Sequence, residues 1–124
     1  DLRRLERELH RAHPGAFTAH VMSGFFNRGH YCEVVPAGIS KWTGLLQLGG
    51  RRGIADAEIC AVGDELNDLS MVSAAGMGVA MGNAQEELKQ AADWVTGRHD
   101  ENGLVAVVER ILGNASAAGA RSEA

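Results

Sequence analysis

The sequence predicts an α/β protein: a parallel sheet from residue 40 onward, preceded by a short α+β piece of one helix and two antiparallel strands. Three observations carry this. From Ser40, helical apolar spacings alternate with short apolar runs, the pattern of parallel strands joined by right-handed crossovers. Before Pro36 the order is helix, strand, turn, strand. The third observation is the stretch Ile59-Cys60-Ala61-Val62-Gly63-Asp64-Glu65-Leu66-Asn67-Asp68, where an apolar run ends at glycine and two carboxylates and an amide follow. That order puts the acids at the C-terminal end of a buried strand and in the first turn of a helix, where open α/β sheets hold ligands.

Taken in order, residues 1–12 read as a helix with Leu2, Leu5 and Leu9 on one side, ended by Pro14-Gly15. Residues 16–23 alternate as a strand with Phe17, Ala19 and Val21 on one face. Residues 24–29 contain Asn27-Arg28-Gly29 and form a hairpin loop, and 30–35 are the returning strand, stopped by Pro36. Ser40 can cap a helix carrying Trp42, Leu45, Leu46 and Leu48, ended by Gly49-Gly50 and Gly53. Residues 58–62 are a short strand, 65–75 a helix closed by Gly76, and 77–81 the next strand. Residues 84–92 are a helix with Glu86 and Glu87 in its first turn, the order the helix dipole favours. A last short strand, 93–96, leads through a polar loop, 97–103, to an apolar helix over 104–112 with Val105, Val108, Ile111 and Leu112. Residues 113–124 are small and polar, cannot build a core, and are expected to be a disordered tail.

At 124 residues the chain has about one domain's worth of core. A net charge of −4 gives no sign of a nucleic-acid or membrane surface. Arg3, Arg4, Arg7 and Arg11 interleave with Glu6 and Glu8, which reads as a solvated helix face. Two cysteines, Cys32 and Cys60, make no disulfide framework and lie in strand-like runs, as suits small side chains in a reducing compartment. No apolar run approaches the ~18 residues of a membrane span, and there is no signal peptide, so a cytoplasmic location is expected. The chain opens on Asp1 without an initiator methionine, directly in a helical pattern, which suggests a piece of a longer protein.

A lone acid at a strand end is often only a helix cap. Asp64, Asn67 and Asp68 together form a hard-oxygen set suited to Mg2+, which keeps several waters and takes few protein ligands. Lys41 starts the preceding helix; helix starts and strand ends share one edge of a parallel sheet, so its ammonium can approach the same crevice and meet a phosphate as a point charge. A lysine by itself would be an ordinary surface residue; the constellation is what singles it out.

Val35-Pro36-Ala37-Gly38-Ile39-Ser40-Lys41, then Gly63-Asp64-Glu65-Leu66-Asn67-Asp68, then Val79-Ala80-Met81-Gly82-Asn83-Ala84, then Ala92-Asp93-Trp94-Val95, resembles the C-terminal half of a haloacid dehalogenase (HAD) superfamily phosphatase of the Cof-type group with the IIB cap. The resemblance covers roughly 35–112 closely, and 1–35 by pattern. It implies the C-terminal half of a HAD-like Rossmannoid parallel sheet over 38–112, with the last helix and two strands of an α+β cap over 1–37. It also implies Mg2+ on Asp64; Lys41 neutralising the phosphoryl group and the nucleophile; Asn67 contacting phosphate; Asp68 as the second acid, supporting the first; and Gly63 permitting the tight turn. Lys41, Asp64 and Asp68 would then be the catalytic set and a small phosphorylated metabolite, a sugar phosphate by expectation, the substrate. Asn83 reads as a turn residue rather than a ligand, and Asp93, His99 and Asp100 as loop or cap residues.

The departures bound the expectation. Enzymes of this kind attack phosphate with an aspartate in a DxDGT-like motif, and this chain has no DxD. It supplies the metal and phosphate half of a site without the nucleophile, so by itself it is expected to be catalytically incompetent. Where the family usually has glycine, this chain has Trp42, which could narrow the pocket or pack under it. The alternatives are a non-catalytic or degenerate HAD-like binding module, and a phosphomutase of the same superfamily. A parallel sheet without its first strand leaves an open edge, so self-association is expected.

Overall fold

The computed structural model describes residues 1–24 and 28–122, with side chains through residue 114. Its N-terminal part is a helix, α1 (Leu2–Ala12), laid against a hairpin of β1 (Phe17–Ser23) and β2 (His30–Pro36). Asp1 caps α1 by accepting from the Arg3 amide at 3.0 Å. The hairpin is antiparallel from Phe17↔Pro36 to Ser23↔His30, and the alternation that marks it buries Ala19 and Val21. Its tip, 25–27, lies outside the described residues.

The second part alternates helix and strand as expected. α2 (Lys41–Arg52) starts at Ser40, whose hydroxyl accepts from the Thr43 amide at 3.2 Å while the Thr43 hydroxyl accepts from the Ser40 amide at 2.9 Å. The helix runs through Gly49-Gly50, expected to end it, and stops at Gly53, whose φ of 69° is the left-handed cap glycine tolerates. Next come β3 (Cys60–Gly63), α3 (Leu69–Ala74), β4 (Met77–Ala80), α4 (Glu86–Ala91), β5 (Trp94–Val95) and α5 (Gly103–Ser122). β3, β4 and β5 form a parallel three-stranded sheet in that order, the α/β architecture the sequence predicts. Val79 and Ala80 of the central strand are fully buried, and Val72, Ala84 and Leu88 from the flanking elements close the core around them. Both cysteines are free and partly buried. Among the described residues, no helix is long and apolar enough to cross a membrane.

Two further expectations differ from the structure. Residues 65–75 are not one α-helix: Leu66–Asp68 is a 3-10 turn and α3 begins only at Leu69. The tighter turn lets the Asp68 carboxylate fold back onto the end of β3. The stretch 113–124, expected to be disordered, is helical through Ser122, with 123–124 outside the described residues. Lack of apolar residues prevents a core, but Ala115, Ala117, Ala118 and Ala120 are strong helix formers and no proline interrupts them. The apolar residues of α5 are also largely uncovered: Val107 is buried, whereas Leu104, Val105, Val108 and Leu112 are exposed.

Candidate active site

The C-terminal end of β3 delivers its acids to a knot of hydrogen bonds centred on Asp68. This carboxylate is buried. Its Oδ2 accepts from the backbone amides of Asp64 at 3.0 Å and Glu65 at 3.1 Å, and its Oδ1 from Lys41 Nζ at 2.5 Å. A buried charge is tolerated only when paired and hydrogen-bonded, and Asp68 is both. Lys41 reaches it from the first turn of α2; its own side chain is about half exposed. An ammonium has three donors, so Lys41 keeps hydrogen-bonding capacity toward the cavity. Trp42, next in the chain, is half-buried and lines neither cavity described here, so it does not displace the lysine.

Gly63 serves this knot by its missing side chain. It is not among the residues with positive φ. A Cβ built there would overlap the Asp68 side chain, so what the position requires is close approach rather than the turn freedom expected of it.

Asp64 is exposed, and among the described residues its side chain accepts only a long hydrogen bond, at Oδ2, 3.4 Å from Asn83 Nδ2. Most of its acceptor capacity is therefore open to the cavity. Asn83 also accepts from the His99 amide at 2.9 Å, so besides sitting in the turn after β4 it ties Asp64 to the loop after β5. In that loop Arg98 bonds Asp100 at 3.1 Å; a hydrogen bond from its own backbone, then Arg98, hold the Asp100 carboxyl below the usual carboxylate range. Asp93 stands apart, accepting from the Gly78 amide at 2.8 Å between β4 and β5.

Asn67, in the 3-10 turn, points its amide at the hairpin, donating to both Glu33 carboxylate oxygens at 3.3 and 3.4 Å. Two cavities meet here. One, about 680 Å3, is lined by Lys41, Asp64, Asn67, Asp68, Asn83 and Arg98 among others. The other, about 650 Å3, lies under the hairpin and shares Lys41 and Asn67 with the first. The structure thus brings Lys41, Asp64, Asn67 and Asp68 to one cavity. Sequence reasoning missed Glu33 and the bridging role of Asn83. Asn83 had a usable signal, a polar residue just past the C-terminal end of a parallel strand; Glu33 had none, since 34 residues separate it from Asn67.

Among the described residues no group of three His, Cys, Asp or Glu side chains could hold a metal ion. One open carboxylate beside a cavity is nevertheless the donor set that fits Mg2+, which binds through one or two carboxylates, waters and substrate phosphate.

A family model for haloacid dehalogenase-like hydrolases matches residues 1–108. The chain belongs to that family. Relatives of this HAD-like hydrolase include the 5-amino-6-(5-phospho-D-ribitylamino)uracil phosphatase YwtE of Bacillus subtilis, 41% identical over 83 residues, 67% of this chain and 29% of its own length. The phosphatase YwpJ of the same organism is 45% identical over 83 residues, again 67% of this chain and 29% of the relative. A solved haloacid dehalogenase-like hydrolase from Bacteroides thetaiotaomicron is 42% identical with a TM-score of 0.66, covering 89% of this chain and 40% of that one. A solved HAD subclass IIB sugar phosphatase is 30% identical with a TM-score of 0.74, covering 88% and 40%. The chain therefore spans about a third of the length of these proteins.

Proposed function

We propose that this chain is the metal- and phosphate-holding part of a Mg2+-dependent phosphatase of small phosphorylated metabolites, sugar phosphates foremost. In this reading 1–37 end a cap and 38–112 form the C-terminal half of the core. The observation that carries it is the division of labour between the two acids. Asp68 is saturated by Lys41 and two backbone amides, while Asp64 beside it is left open. The phosphatase names of the relatives support the same reading.

The residues would act as follows. Asp64 holds the metal, and Asp68 fixes the backbone that aims Asp64. Lys41, positioned by Asp68, offsets the charge of a phosphoryl group, the main demand of such chemistry. Asn67 donates its amide to a phosphate oxygen. Bound Mg2+ would supply further neutralisation of phosphate charge. The attacking aspartate would come from sequence outside this chain, which has no DxD. That absence also favours a second reading, a binding module without catalysis.

Two measurements on this chain test the proposal. Calorimetry should show inorganic phosphate binding that requires Mg2+ and is lost in Asp64→Ala, with the urea midpoint unchanged because Asp64 is exposed. A clean preparation should not hydrolyse p-nitrophenyl phosphate. Phosphate binding that ignores both Mg2+ and Asp64 would sink the assignment; Mg2+-dependent turnover lost in Asp64→Ala would overturn the half-site reading.

A further inference from the structure

Arg98 lines the cavity that holds Asp64, and the roles proposed above leave it unused. The loop after β5 fixes its backbone from both sides. The Arg98 amide donates to the Glu101 carboxylate at 3.3 Å, and the Arg98 carbonyl accepts from the amides of Glu101 and Gly103 at 3.0 and 3.1 Å. Gly97 before it accepts from the Gly82 amide at 3.0 Å. His99 after it donates its amide to Asn83, which in turn reaches Asp64. The base of the Arg98 side chain is therefore anchored close to Asp64, while the side chain itself is about half exposed. Its Nε donates to Asp100 at 3.1 Å, and among the described residues its two terminal nitrogens have no hydrogen-bond partner. An exposed ion pair of this kind is weakly held. A guanidinium carries five donors in a planar fork that fits two phosphate oxygens at once.

The charges around this cavity give such an arginine a use. Asp64, Glu65 and Asp68 are its carboxylates, and Lys41 and Arg98 its lysine and arginine. Lys41 is engaged by Asp68, and Glu65 meets the neutral Gln85 amide at 3.4 Å rather than a cation. With Mg2+ on Asp64, the three carboxylates would balance the metal and Lys41. No surplus positive charge would then face a phosphate, which carries about two negative charges near neutral pH. Arg98 supplies that surplus. Asp100, its partner, does not line the cavity and is 58% exposed, so it can return to water when Arg98 turns inward.

We infer that Arg98 is a second cationic phosphate contact of this site, and that it exchanges Asp100 for phosphate oxygens on binding, so that Asp100 tunes phosphate affinity through Arg98. The inference rests on the phosphate reading of the site above. The exchange needs only rotation of the side chain, because the hydrogen bonds that hold the Arg98 backbone do not involve the guanidinium.

The test is calorimetry on this chain with Mg2+ in excess and inorganic phosphate as the probe, at about 50 mM salt to limit screening. Arg98→Gln removes the charge and should weaken phosphate about tenfold. Arg98→Lys keeps the charge without the fork and should bind within about threefold of the parent. Asp100→Asn releases the guanidinium and should tighten phosphate about two- to threefold. That gain should largely vanish in the Arg98→Gln background, since it acts through Arg98. Both Arg98→Gln and Asp100→Asn break the same ion pair, so a purely structural role for the pair would shift the affinity in one direction for both. Phosphate binding that needs Mg2+ and Asp64 but is unchanged in Arg98→Gln overturns the inference and leaves the phosphate site standing. Weakening in both variants overturns it as well. If Arg98→Gln folds poorly, Asp100→Asn decides alone, and unchanged or weaker phosphate binding there overturns the inference. No phosphate binding at all overturns both this inference and the phosphate reading.

Discussion

Replacing Asp68 by asparagine removes the charge at the centre of the site while keeping its shape. The aspartate side chain is 5% exposed and accepts three hydrogen bonds, at 2.5, 3.0 and 3.1 Å. Asparagine offers one acceptor oxygen. Whichever way it turns, its NH2 faces either the Lys41 ammonium or the amides of Asp64 and Glu65. Removing one partner of a buried ion pair costs ~3–5 kcal/mol, and a hydrogen bond to a charged group is worth ~1.5–3 kcal/mol. Lys41 is 48% exposed and can return to water, which lowers the expected loss to ~2–4 kcal/mol. The reverse substitution, Lys41→Met, leaves Asp68 with both backbone donors and should cost ~1 kcal/mol. Urea unfolding followed by far-UV circular dichroism at neutral pH, on both single variants and the double variant, measures these values. Asp68→Asn should exceed Lys41→Met by at least ~1 kcal/mol, with a coupling energy of ~1 kcal/mol in the cycle. Equal costs for the two would refute the claim that the backbone amides rather than the lysine are the main clients of Asp68, and no coupling would refute a stabilising Lys41–Asp68 pair.

Three further outcomes are expected. Gly63→Ala forces a Cβ into the Asp68 side chain; overpacking of this kind costs ~1–3 kcal/mol, and a melting temperature within about a degree of the parent would contradict the close-approach reading. Burial raises the Cys60 thiol above its ordinary range. Ionisation is thus resisted in the folded state, and the stabilisation present below the ordinary thiol pKa is lost as pH rises through the higher folded one; iodoacetamide should label native Cys60 several-fold more slowly than the urea-unfolded chain at pH 8, and equal rates would count against it. Finally, β3 has no partner on its outer edge among the described strands, and Leu104, Val105, Val108 and Leu112 leave an apolar helix face uncovered. Unpaired edges and apolar patches drive association, so sedimentation should show dimers or larger species at micromolar concentration, and a well-behaved monomer would argue otherwise.

Much of this molecule is legible in local patterns. The helix and strand order follows from apolar period and from punctuation by Pro36, Gly53 and Gly76, because these act over a few residues. The grouping of Lys41 with Asp64, Asn67 and Asp68 could be anticipated because a parallel sheet brings helix starts and strand ends to one edge. Tertiary structure alone decided how those groups divide their work. Asp68 turned inward because the 3-10 turn and the absence of a side chain on Gly63 let its carboxylate meet two amides and an ammonium at once, and Asp64 stayed open as a consequence. Glu33 reached Asn67 only through the packing of the hairpin against that turn, a contact between distant segments that no local period encodes. The exposed face of α5 is equally invisible to its amphipathic pattern, since a pattern marks a surface suited to burial and only neighbours in space determine whether it is covered.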